Sequence, residues 1–225
     1  MQKHVITGIL GLVVGGVIGF WGANSLNRTG SEIAAPSGNS LTVGSGSQSV
    51  QANDAGMSQD VADTLAAAER EPGNFVVQMK TGDLYAQIGR FEQAIEFYKR
   101  GLALRPNDKQ ALLVVANAYF DAGQYEVAGD HYAKVLEIEP GNIAARTDLG
   151  TTYVLRASPD YDRAVKEFEA ALSTDPKHEP SLYNLGIAMS RKGDQAAAES
   201  VLARLESVNP SSDLIPKLRQ NIARK

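Results

Sequence analysis

The chain has 225 residues, 43% hydrophobic and 21% charged, a composition that fits one or two globular domains and excludes wholesale disorder. A net charge of -4 and an isoelectric point near 5.4 supply no basic stripe for phosphates, which argues against a nucleic-acid partner. With no cysteine in the chain, disulfides, thiolate metal sites and cysteine nucleophiles are all excluded.

Residues 1–4 form a short start carrying Lys3, and residues 5–23, VITGILGLVVGGVIGFWGA, contain no charge. Nineteen helical residues at about 1.5 Å each span roughly 28 Å, the thickness of a bilayer's hydrocarbon core, so one transmembrane anchor is expected here. Lys3 ahead of it and Trp21 at its far end place residues 1–4 in the cytoplasm and the rest outside the cytoplasmic membrane, as a single-pass protein. Gly11, Gly15 and Gly19 recur every four residues and offer a face for helix pairing, and hence for a homo-oligomer. The alternative is a cleavable signal peptide that releases a periplasmic protein. Its best cleavage site, Ala23-Asn24-Ser25, is poor, and the apolar run is longer than a typical signal core.

Residues 24–56 are rich in Gly, Ser and Asn and hold few large apolar groups, so they read as a flexible linker with a reach of about 30 Å. Their GSGS run is not a phosphate loop, because no GK[ST] follows it and no apolar strand precedes it.

From residue 57 to residue 225 the sequence turns helical and repeats. Pro106 and Pro140 are 34 residues apart, Pro140 and Pro176 are 36 apart, and a looser copy ends at Pro210. Counting from Phe75, Lys109, Ile143 and Glu179, the eighth positions are Gly82, Ala116, Gly150 and Gly186. The twentieth are Ala94, Ala128, Ala164 and Ala198, once a two-residue insertion in the third copy is allowed. Small residues at both places let two helices pack closely. The eleventh positions (Tyr85, Tyr119, Tyr153, Met189) and the twenty-fourth (Tyr98, Tyr132, Phe168, Leu202) supply core bulk beside those contacts. Gly89, Gly123 and Gly193 fall where the first helix must reverse, and each proline ends the second. A helix pair of this kind cannot bury its own apolar face, so the copies must stack.

The pattern resembles the tetratricopeptide repeat family over residues 75–210, although the family's Trp at position four is replaced by Gln78, Leu112, Arg146 and Leu182. The fold expected is all-α: a superhelical array of helix-turn-helix repeats (72–106, 107–140, 141–176 and 177–210) with flanking helices at 58–71 and 212–224. The resemblance implies a concave groove lined by the first helices, with Met79, Asp83, Leu113, Asn117, Phe120, Thr151, Val154, Tyr183 and Ile187 toward a protein or peptide partner. Family members that clamp a carboxylate tail use lysine, asparagine and arginine at set positions. This chain has Met79, Asp83, Val114, Ala144 and Asp148 there, which disfavours that ligand.

Nothing in the sequence points to catalysis, a cofactor or a metal. His4, His131 and His178 are scattered, and no nucleophile elbow, phosphate loop or nucleotide fingerprint is present. The expected function is a membrane-tethered protein-interaction scaffold of a bacterial envelope, without enzyme activity. The alternative is a structural module that self-assembles through its glycine-rich membrane helix or its array ends.

Overall fold

The structure, a computed structural model, describes residues 59–223. The expected anchor at 5–23, its glycines Gly11, Gly15 and Gly19, and the linker at 24–56 lie outside the described residues. Among the described residues no helix is long and apolar enough to cross a membrane.

The described residues form ten helices and no strand: α1 Gln59–Arg70, α2 Phe75–Gln87, α3 Phe91–Leu104, α4 Lys109–Asp121, α5 Tyr125–Ile138, α6 Ile143–Leu155, α7 Tyr161–Thr174, α8 Glu179–Lys192, α9 Gln195–Val208 and α10 Leu214–Ala223. Helices α2 to α9 make four units of two antiparallel helices, each packed most extensively within its own pair and then on the next unit.

Each unit's first helix starts at a side-chain cap. Asn74, Asp108 and Asn142 accept hydrogen bonds from backbone N–H groups of the first turns of α2, α4 and α6, and the His178 ring does the same for α8. The turn between paired helices closes on one recurring hydrogen bond, from the backbone N–H before the second helix to the carbonyl at position eleven. It joins Arg90 to Tyr85, Gln124 to Tyr119 and Asp194 to Met189 at 2.8–3.0 Å. Gly89, Gly123 and Gly193 have positive φ within these turns, where a Cβ would be strained. The third unit keeps the same bond, Asp160 to Tyr153 at 2.8 Å, across its two extra residues and without glycine.

Inside each unit the eighth-position residue lets the rings in. A Cβ added at Gly150 would sit 2.6 Å from Phe168 Cε1, and one at Gly82 would collide with the ring of Tyr98. Phe168 and Tyr132 are fully buried, and each such ring contributes about 1.5–3 kcal/mol through lost contact with water. Ala94, Ala128, Ala164 and Ala198 are fully buried as well, as close approach requires. The fourth unit departs from this. Leu202 is only half-buried, and the space beside Gly186 is taken by Leu218 of α10. Leu214, Ile215, Leu218 and Ile222 are all buried where α10 packs on α8 and α9.

At the front, α1 is held through its backbone. Gln78 is fully buried and its Nε2 donates to the carbonyls of Ala68 and Glu71 at 2.9 and 3.3 Å, satisfying oxygens that a helix end leaves open.

Replacing Gly150 by alanine sets a helix-propensity gain of about 1 kcal/mol against an overpacking cost of about 1–3 kcal/mol. Because Phe168 has no exposed edge to yield, the expected net result is a loss of stability, read as a lower urea midpoint. Combined with Phe168→Leu, which removes the obstructing ring, the loss from Gly150→Ala should shrink; strict additivity would overturn the contact.

Candidate functional site

The first helices α2, α4, α6 and α8 bring their ninth positions, Asp83, Asn117, Thr151 and Ile187, into successive units. The polar ones are held in place. The Tyr98 hydroxyl donates to Asp83 Oδ1 at 2.7 Å, and the Tyr132 hydroxyl donates to Asn117 Oδ1 at 2.8 Å, each across its own unit. In the third unit the ring is Phe168, which has no hydroxyl, and Thr151 instead donates to Thr147 O and accepts from Asn184 Nδ2. In the fourth, Ile187 and Leu202 make the pair apolar on both sides.

Of the residues expected to line the groove, Asp83 is exposed, and Met79, Leu113, Asn117 and Thr151 are half-buried. Phe120, Val154, Tyr183 and Ile187 belong to the buried core, at 6–9% exposure. Phe120 packs edge-on against Tyr125, with centroids 5.3 Å apart. The fourth unit stacks on the third through polar contacts: Ser181 bonds Thr147 at 2.7 Å, and Asn184 reaches Thr151. The accessible first-helix face is therefore more polar than its composition suggests, since its largest apolar members serve packing. The Tyr132 hydroxyl takes one acceptor site of Asn117 Oδ1, which leaves Nδ2 as the donor that the amide can offer a partner.

Comparison with known proteins places this geometry. Family models described as tetratricopeptide repeat match residues 59–109, 79–143 and 155–222. The chain belongs to the tetratricopeptide repeat family. It is 27% identical over 147 residues to the tetratricopeptide repeat protein 21 homolog of Caenorhabditis elegans, covering 65% of this chain and 11% of that protein. It is also 27% identical over 142 residues to the human protein O-mannosyl-transferase TMTC3, covering 63% of this chain and 15% of that protein. The chain thus spans only a small part of these curated relatives. Among solved structures, the tetratricopeptide array is similar in fold to MamA from Desulfovibrio magneticus RS-1, with a TM-score of 0.62, 21% identity, and coverage of 68% of this chain and 85% of that one.

Three carboxylates mark the first-helix face of the tetratricopeptide array. Asp121, at the end of α4, lies close enough to Asp148 of α6, Tyr98 of α3 and Tyr125 of α5 for their charges to interact. Packing around the Asp121 carboxyl, and then the negative charge of Asp148, push it up to about 7. Neighbouring atoms packed around its carboxyl also raise Asp83, partly offset by the hydrogen bond from Tyr98. Asp121 and the two tyrosine hydroxyls were not legible from the expected groove residues taken one at a time. The available signal is a pairing within the repeats: a tyrosine at position twenty-four accompanies Asp83 or Asn117 at position nine in the first two units, whereas the third pairs Phe168 with Thr151 and the fourth Leu202 with Ile187.

Two outcomes follow from this chemistry. Asn117→Leu removes the acceptor of a buried hydroxyl and should cost about 1–3 kcal/mol, whereas adding Tyr132→Phe should recover most of the loss, as the apolar pair of the fourth unit illustrates. Chemical denaturation of the single and double variants reads this directly. A carboxyl that holds its proton more tightly when folded stabilises the array in acid. The Asp121 contribution is complete below about pH 4 and is lost as pH rises through about 7. Denaturation midpoints should therefore fall between pH 5 and about pH 8, and Asp121→Asn should flatten that decline.

Proposed function

We propose that the array holds a segment of a partner protein against its first-helix face, and that residues 5–23 and 24–56 tether it to a membrane. The observation that carries the binding reading is the row Asp83, Asn117 and Thr151. These are polar groups at the same position of three successive first helices, oriented by neighbouring side chains and reaching the surface. Such a row suits a backbone that runs across the units, with hydrogen bonds fixing orientation and side-chain sites supplying specificity. Asp83, Asp121 and Asp148 favour a segment bearing lysine or arginine over one ending in a carboxylate. The relative named as a mannosyl-transferase is matched over 15% of its length, and we assign no transfer chemistry to the repeats. The tether reading is supported by the uncharged stretch 5–23 and by the Gly- and Ser-rich composition that follows it.

The test is site-specific photo-crosslinking in the full chain on native membranes, with the crosslinker replacing Met79, Leu113 or Thr151 on the first-helix face, or Glu96 or Lys166 on second helices. Adducts from the first set alone, reduced by Asp121→Lys in a protein that circular dichroism shows is folded, are the expected result. Equal adducts from both sets would overturn the face assignment. The tether is checked by the mass of the mature amino terminus, and a start near Leu26 would replace the anchor with a cleaved signal.

A further inference from the structure

Position eleven carries an aromatic ring in three units, and in each that ring is covered. In the first, Tyr85 stacks on Phe97 with centroids 5.6 Å apart and planes 10° from parallel, while the Arg100 guanidinium lies 4.7 Å from the Phe97 centroid. In the second, Tyr119 stacks on His131 at 5.5 Å and 11°. Burial of that imidazole, with Lys134 and Lys99 nearby and Asp130 opposing them, holds its pKa below the ordinary value. In the third, Tyr153 lies under two guanidinium groups, those of Arg156 at 4.5 Å and Arg163 at 5.8 Å.

The fourth unit has Met189 and Val201 at the places of Tyr85 and Phe97, and between α7, α8 and α9 it has an open cavity of about 430 Å³. Leu172, Leu185, Met189 and Val201 supply its apolar lining, and Arg204 stands among the polar groups around them. Arg204 holds the repeat position that Arg100 holds in the first unit, and its Nη2 donates to the Pro176 carbonyl at 2.8 Å, which fixes the guanidinium there. The cation is therefore retained while the unit's own ring is missing.

We propose that this cavity receives an aromatic side chain of a partner protein, which replaces the ring absent from the fourth unit and lies against the Arg204 guanidinium. The warrant is complementarity. A cation over an apolar recess favours a π-face over an aliphatic group of equal size, because the ring's quadrupole attracts the charge while its body leaves water. The first unit shows the completed arrangement built from one chain. This site is formed by α7, α8 and α9, apart from the row of Asp83, Asn117 and Thr151, so it stands or falls independently of the function proposed above.

The chain has four methionines, so the Met189 methyl is easily observed by NMR in the full-length protein carrying labelled methionine. N-acetyl-tryptophanamide is the probe and N-acetyl-leucinamide the aliphatic control. The expected result is a saturable ring-current shift of the Met189 methyl while that of Met79 stays fixed, with binding about fivefold weaker for the leucine compound. Val201→Phe, which restores the ring found at Phe97, should fill the recess, abolish the shift and raise the melting temperature. Arg204→Gln, which leaves the apolar lining intact, should weaken tryptophanamide binding about fivefold and leave leucinamide binding unchanged. No saturable shift, equal affinity for the two probes, or full binding by Val201→Phe would overturn the proposal. A Met189 methyl already ring-shifted in the free protein, and released by Trp21→Leu, would show that this chain's own indole fills the site and would equally overturn a partner's ring.

Discussion

The structure depends on one steric constraint: in each unit the first helix must carry almost nothing at its eighth position. Where that residue is Gly82 or Gly150, the ring of Tyr98 or Phe168 lies across the bare backbone, and the two helices approach as closely as an aromatic ring's thickness allows. That approach lets a tyrosine rooted on the second helix extend its hydroxyl to position nine of the first, which holds Asp83 and Asn117. The polar character of the first-helix face is thus a consequence of a packing rule, since a wider hairpin would leave those hydroxyls short of their acceptors. The fourth unit obeys the same constraint with a different partner, because the space at Gly186 is filled by Leu218 of α10. The end helix is accordingly part of the fourth unit's core, and its buried Leu214, Ile215, Leu218 and Ile222 complete a unit whose own aromatic positions are degraded.

Between units the contacts change in kind. The seam from the third to the fourth unit includes a buried hydroxyl pair, Thr147 with Ser181, and the reach of Asn184 to Thr151. The front is held by Gln78 on the carbonyls that end α1. Such polar contacts are strict about geometry, and leaving one partner unsatisfied costs more than making the bond gains. They fix the register between units, while the apolar surfaces supply the larger share of the driving force. Because each unit touches mainly its neighbours, the array's stability is close to a sum of local terms, and a change in one unit is felt chiefly at its own two seams.

Much of this was legible in the sequence, because the repeat is a steric pattern. The small residues at positions eight and twenty, the three turn glycines and the terminal prolines each report a physical requirement that few other residues meet. The starts of all four first helices follow from the same spacing, with Asn74, Asp108, Asn142 and His178 as their caps. What the spacing did not show is which first-helix side chains remain accessible. Phe120, Val154, Tyr183 and Ile187 occupy expected groove positions, but each is buried in the folded array, and spacing along one helix does not report burial. The Asp121 and Asp148 pair was missed for the same reason: the two residues lie 27 positions apart, on different units, and only stacking brings their charges together.

The fourth unit shows how a repeat diverges without losing its place in the stack. Its inner pair has become apolar, Ile187 with Leu202, where the first two units use a hydroxyl and an acceptor. Its position-eleven site has lost its ring and kept its cation, where the first two units stack aromatics and the third covers its tyrosine with two guanidinium groups. Each change has one member on α8, where Ile187 and Met189 are two residues apart and so point in different directions on a helix with 3.6 residues per turn. One helix thereby separates the two surfaces while joining them mechanically. A ring seated beside Met189 would stiffen α8 against α7 and α9, and the bond between Asn184 and Thr151 would carry that restraint to the row on the first-helix face. α8 lines the recess through Leu185 and Met189 and reaches the row through Asn184, so it links the two surfaces directly.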